Sequence, residues 1–202
     1  MTNASATDGR VLRGERSRAA VLTAAADLAT IDGLDGLSIA AVAERTGMSK
    51  AGVAGLFGAK LQLQLATVQA AREVFIDEVI TPALEVRGGI DRIRAVCEAS
   101  LSYSERRVFE GGCFFSSTSA ELSSRPGPVR DAVLAQLAEW HEFLQRTVQR
   151  AVDHGELEGD ASTVAFELAA ILDAANRRSL LYSSGEPYVQ ARSAIDRLLA
   201  SP

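Results

Sequence analysis

The residues best suited to do chemistry lie in the run from Ser38 to Val53, SIAAVAERTGMSKAGV. Within it Ala43, Gly47 and Val53 stand four and six residues apart. Two short helices that cross closely need a small residue at the contact on the first and a glycine that tolerates a left-handed turn. An aliphatic residue on the second then closes the wedge. Ser38 and Ser49 stand where N-caps belong, each hydroxyl able to accept from a first-turn amide. A helix opening with Ser49-Lys50 offers backbone donors, a partial positive charge and a lysine point charge, a combination suited to phosphate and to guanine edges. The same spacing also serves helical hairpins that bind nothing, so these residues alone leave both readings open.

Other candidates are sparser. The sequence holds no G-x-S-x-G, no phosphate-binding glycine loop and no H-E-x-x-H, and His141 and His154 lack a second ligand pattern, so neither catalysis nor a bound metal or cofactor is expected. Cys113 follows Gly111-Gly112 at an expected helix start. That setting can lower a thiol pKa, and it equally fits an inert buried cysteine. His141 beside Trp140 can hydrogen-bond a ligand or simply face water.

These residues must be held by helices. Val21, Leu22, Ala25, Leu28 and Ala29 form the stripe of an amphipathic helix ending at Gly33. A short helix from Ser38 to Gly47 and another from Ser49 to Phe57 follow. A longer one should reach about Thr81, because Pro82 disfavours helical geometry in the residue before it. The pattern then gives a helix from about Ile90 to Val108, a short Ser/Thr-rich segment over 113–123, and a long helix from Pro128 to Gly155. In the last, Val129, Val133, Leu137, Trp140, Leu144, Val148 and Ala151 make a bundle seam. Asp160 caps a further helix closing at Ser183, and Pro187 opens the final one. No sustained period of two occurs, so the chain reads as all-α with about nine helices and a joint near residue 60. Residues 1–14, polar and carrying Arg10 and Arg13, read as a disordered basic arm.

The 202 residues carry a net charge of −5 and 47% apolar side chains, a globular composition. Residues 1–60 are net +1 and the remainder net −6, which argues against diffuse nucleic-acid binding but not against a small basic face. No apolar stretch is long enough to span a membrane and no signal sequence is evident. Two cysteines, Cys97 and Cys113, are too few for a disulfide framework, and a cytoplasmic location is expected.

The first helix, the run Leu37 to Lys50 and the sequence Leu56-Phe-Gly-Ala-Lys60 together resemble the N-terminal domain of the TetR family of transcriptional regulators over residues 15–65. That resemblance implies a three-helix helix-turn-helix DNA-binding domain over 15–60 and a C-terminal ligand-binding and dimerisation domain over 61–202. It implies that Ser49, Lys50, Ala51 and Gly52 open the recognition helix in the major groove. Arg16, Ser38, Thr46 and Lys60 would lie near the DNA. The chain departs from the family at Ala54, Gly55 and Leu56, where an aromatic and then polar residues are common. Two glycines in so short a helix cost ~1 kcal/mol each relative to alanine. Arg10, Arg13, Arg16 and Arg18 are candidates to compensate.

The resemblance further implies a one-component repressor that binds a partly palindromic, double-stranded operator as a homodimer and releases it on binding a small apolar or amphipathic effector. The last two helices would dimerise, with Ala165, Ala169, Ala170, Ala174 and Ala175 allowing close approach or packing within one subunit. Tyr103, Cys113, Trp140, Phe143 and Asn176 are the candidates to line the effector site, and all also fit a core or an interface. The alternative is an all-α small-molecule-binding protein without a DNA role.

Overall fold

The computed structural model describes the backbone of residues 4–122 and 126–200, and side chains for Leu12 and from Gly14 onward within those ranges. It is helical, with no strand among the described residues. In chain order the helices are α1 (Ala4–Asp32), α2 (Ile39–Thr46), α3 (Lys50–Phe57), α4 (Lys60–Phe75), α5 (Thr81–Glu85), α6 (Ile90–Glu105), α7 (Phe114–Leu122), α8 (Pro128–Asp153), α9 (Ala161–Tyr182) and α10 (Glu186–Leu198). A π-turn, Ile76–Ile80, joins α4 to α5, so residues 60–85 form one rod and the count among the described residues is the nine expected.

Two boundaries differ from the sequence reading. The segment expected as a disordered arm is helical from Ala4, because extending a helix already nucleated by the packed Val21–Ala29 face adds one hydrogen bond per residue fixed. Residues 1–3 and the side chains of Arg10 and Arg13 lie outside the described residues. The rod also runs through Pro82 instead of stopping before it. Proline lacks an N–H and its ring crowds the carbonyl four residues back; widening the preceding turn, where Thr81 N–H donates to Ile76 O, accommodates it.

α1 packs on α2, α4 and α7, and α2 packs on α3; α8 lies against α4, α6, α7 and α9, and α9 against α10. One apolar core joins Val21, Ala25, Leu34, Leu37, Val42, Val53 and Leu63 to Phe109, Phe114 and Val133. A second is built on Ile93, Val96, Leu144, Val148, Leu168 and Tyr188. Trp140 of α8 packs against both.

Candidate functional site

The α2–α3 unit is organised by the residues that marked it in sequence. Ser38 accepts from Ala41 N at 3.1 Å and Ser49 from Gly52 N at 3.0 Å, so both serines are N-caps. Gly47 takes φ 67°, and its N–H and that of Met48 return to Glu44 and Ala43 carbonyls, closing α2. Ala43 and Val53 are buried at the α2–α3 crossing. This leaves Ser49, Lys50, Ala51 and Gly55 exposed on α3, with Arg16 exposed on α1, while Ser38, Thr46 and Gly52 are half-buried. Thr46 directs its hydroxyl back to Val42 O at 2.8 Å.

The propensity deficit of the two α3 glycines is offset from outside the helix. Arg18 donates to Leu56 O at 3.0 Å, an otherwise unsatisfied C-terminal carbonyl, and its guanidinium lies 4.4 Å from the Phe57 ring centroid. Arg18, grouped in sequence with a DNA-facing arm, is therefore a strut under α3. Lys60, expected to lie near the DNA, also makes a contact within the fold: its ammonium donates to Asp35 O in the α1–α2 turn.

A half-open cavity of about 440 Å³ lies between α4, the π-turn, α6, α7, α8 and α9. Of the five residues considered for an effector site, Cys113, Trp140, Phe143 and Asn176 line this cavity. Tyr103 does not. Ser100 and Ser104, one turn apart on α6, take the cavity-facing stripe, and Tyr103 falls beside it, 1% exposed and edge-on to Phe75 at 5.5 Å. Phe75 supplies the aromatic wall instead, 5.2 Å from Trp140 and perpendicular to it. Sequence reading missed Phe75, at the end of α4, and Ile76 and Ile80, which lie in the π-turn, whose changed register leaves no mark in apolar spacing. Burial pushes the Cys113 thiol up to about 11, so its position at the start of α7 does not make it a thiolate.

The loop from Arg106 to Cys113 touches both regions. On the cavity side, Cys113 N donates to Asn176 Oδ1 at 3.1 Å, and Arg107, held at φ 53°, donates to Ser179 Oγ at 2.9 Å. On the other side, Gly111 N donates to Thr30 Oγ1 at 3.0 Å, Glu110 N donates to Asp27 Oδ1 at 3.2 Å, and the Glu110 carboxylate pairs with Arg45 of α2. Residues far apart in sequence thus connect the cavity wall to α1 and α2 through eight residues of loop.

α9 and α10 leave large apolar side chains in solvent: Phe166 is 74% exposed, Leu181 72%, Tyr182 68% and Val189 59%. Of the five alanines considered for close helix approach, Ala165 and Ala175 are buried inside the subunit and Ala169 lines the cavity, leaving Ala170 and Ala174 accessible. Among the described residues no helix is long and apolar enough to cross a membrane.

Residues 89–195 match the family model of the tetracyclin repressor-like C-terminal domain. A TetR transcriptional regulator from Chloroflexus aurantiacus J-10-FL is 27% identical, with 92% of this chain and 94% of that one aligned at a TM-score of 0.83. AibR in complex with isovaleryl coenzyme A and operator DNA is 20% identical over 90% and 98% of the two chains, with a TM-score of 0.72. A regulator from Saccharomonospora viridis in complex with choline is 18% identical over 91% and 95%, with a TM-score of 0.73. No curated protein matches the chain in sequence.

Proposed function

The chain belongs to the TetR family of transcriptional regulators, helix-turn-helix DNA-binding proteins with a ligand-binding C-terminal domain, and from that premise we propose that it is a one-component repressor. As a homodimer it holds a partly palindromic operator in the cytoplasm and releases it when a small amphipathic effector occupies the 440 Å³ cavity. The observation that carries this reading is the loop 106–113, whose hydrogen bonds join the cavity wall at Asn176 to Thr30 and Asp27 of α1. An effector acts only if it binds the DNA-incompetent arrangement more tightly, since equal affinity for both would shift nothing. A displacement at Asn176 would reach α1 through Gly112 and Gly111, which pack so closely on Asn176 and Thr30 that a Cβ at either would clash.

The test is a band-shift titration with DNA from immediately upstream of the coding sequence, over a salt series. Sequence-selective binding that weakens steeply with salt is the expected result. Its absence would favour a small-molecule-binding protein without a DNA role.

Lys50 and Lys60 separate charge from fold. Lys50 is exposed at the first turn of α3, so Lys50→Ala should leave the melting temperature unchanged and shrink the slope of log affinity against log salt by about one unit. Lys60→Ala also removes the tie to Asp35 O and should cost about 1 kcal/mol, a drop of roughly 2–4 °C for a chain of this size. Equal melting temperatures for both variants would dismiss the structural role of Lys60.

The apolar face of α9 and α10 is the dimer surface in this reading, because a single short recognition helix reads too few bases and two heads must lie about 34–36 Å apart. Phe166→Asp should give monomers in sedimentation velocity. Operator affinity should fall by about two orders of magnitude through loss of the second half-site. A dimeric Phe166→Asp protein would move the interface elsewhere.

A further inference from the structure

The effector cavity assigned above has a charge pattern that restricts what it can hold, and the following rests on that assignment. Relatives with this fold carry ligands of opposite charge, so fold alone does not choose. Three carboxylates line the cavity: Glu139, Glu142 and Asp173. Glu139 is paired with Arg72 at 2.9 Å and Glu142 with Arg146, so both lining arginines are already neutralised. Asp173 has no ion pair among the described residues. Its carboxyl is raised above the ordinary aspartate range by loss of water, eased by a hydrogen bond from Ser116 and by the charges of His141 and Arg177. Asp173 is exposed to solvent at the cavity, so what the wall offers is a matter of pairing. Among the described residues a bound anion would find both lining arginines already paired, and a bound cation would find a carboxylate with no ion pair of its own.

One turn further along α9, Asn176 supplies a second constraint. It is 3% exposed and lines the cavity, and its Oδ1 is fixed by the Cys113 N–H, which requires an acceptor. The amide NH₂ therefore faces away from Cys113 and has no partner among the described residues. Residues three apart on a helix have Cβ atoms about 5–6 Å apart. Phe75, Trp140 and Phe143 complete the wall as apolar surface.

We propose that the effector is an organic amine cation whose charge is seated at Asp173. An oxygen acceptor about one helical turn away meets the Asn176 amide, and its apolar body, of about the size of one aromatic ring, lies on Phe75, Trp140 and Phe143. The carboxylate and the aromatic wall both favour a desolvated cation, and the Asn176 amide selects among amines.

Trp140 is the single tryptophan, so its emission reports on this cavity directly. The probes are phenoxypropylamine, phenoxypropanol and phenoxybutyrate, which share a body and differ in charge. The amine should bind about tenfold or more tightly than the other two, as expected for a hydrogen bond to a charged group. Asp173→Asn should abolish that preference without weakening the alcohol, and should leave the melting temperature nearly unchanged, because the side chain is exposed. Asp173→Glu should retain the preference. Phenylbutylamine, with a methylene in place of the ether oxygen, should bind roughly two- to tenfold more weakly than phenoxypropylamine. Binding of all three probes without an amine preference, or an amine preference that survives Asp173→Asn, would overturn the cation assignment while leaving the cavity as effector site. Equal affinity of the two amines would remove the Asn176 acceptor from the proposal. No change in Trp140 emission with any probe would overturn the cavity reading itself, and the proposal with it.

Discussion

Gly111→Ala is expected to lower stability by about 3 kcal/mol, the upper end for forcing extra volume into a packed site, and with it the melting temperature by roughly 6–12 °C. A Cβ at Gly111 would stand 2.2 Å from Thr30 O and 2.6 Å from both Thr30 C and Thr30 Cβ. Two of these are backbone atoms inside α1, which cannot swing aside as a side-chain tip would. Relief requires the loop to leave α1, and leaving it breaks the Gly111 N–H bond to Thr30 and draws Glu110 from Asp27 and Arg45.

Gly112→Ala differs in kind. Its Cβ would meet Asn176 Oδ1 at 2.3 Å at a left-handed φ of 80°, so the damage falls on the cavity side, with α1 still held. Thermal melts and operator titrations on both variants distinguish the sides: Gly111→Ala should lose stability and operator affinity, while Gly112→Ala should chiefly lose the response to effector. A Gly111→Ala protein with normal stability and normal operator release would mean that the loop is a spacer and not a connection.

That connection was not legible in the sequence, and the reason is physical. Serine caps, a left-handed glycine and apolar stripes act within one or two helical turns, so Ser38, Gly47, Ser49 and Asp160 could be read from their neighbours alone, and each does cap or close a helix. The resemblance around Leu37–Lys50 likewise pointed to the α2–α3 pair from contiguous residues, and both helices form there. The bonds between Cys113 and Asn176 and between Gly111 and Thr30 span 63 and 81 residues, and no local pattern announces them. The cavity was half legible. Trp140 and Phe143 stood out as a rare aromatic pair on a clean helix, whereas Phe75 and Asp173 belong to no stripe or motif that marks a cavity wall. Arg18 and Lys60 were visible as charges near the DNA head. Charge alone does not say whether a cation faces phosphate or a carbonyl at a helix end.

One long-range tie on the N-terminal helices is marked by no local pattern in the sequence. Glu121 of α7 accepts from Leu34 N at 2.8 Å and from Asp35 N at 2.9 Å, and Gln64 of α4 donates to Leu34 O from the opposite side. The Leu34 peptide at the α1–α2 turn is thus bracketed by two side chains from elsewhere in the chain. Leu34 and Leu37 on either side of the turn are buried, so the angle at which α2 leaves α1, and with it the aim of α3, is set there. Glu121→Ala should remove about 2–3 kcal/mol, because hydrogen bonds to a charged acceptor are lost and the Leu34 N–H is left unsatisfied in a partly buried site. Glu121→Gln keeps one acceptor oxygen and should recover about half of that. The loss should be local: amides of α1 to α3 should exchange faster while those of α9 and α10 keep their protection, and operator affinity should fall by the fraction of molecules whose head is misaligned. Uniformly weakened exchange across all helices would make Glu121 a general stabiliser instead, and unchanged exchange in α2 and α3 would show that the apolar packing of Leu34 and Leu37 aims the recognition helix unaided.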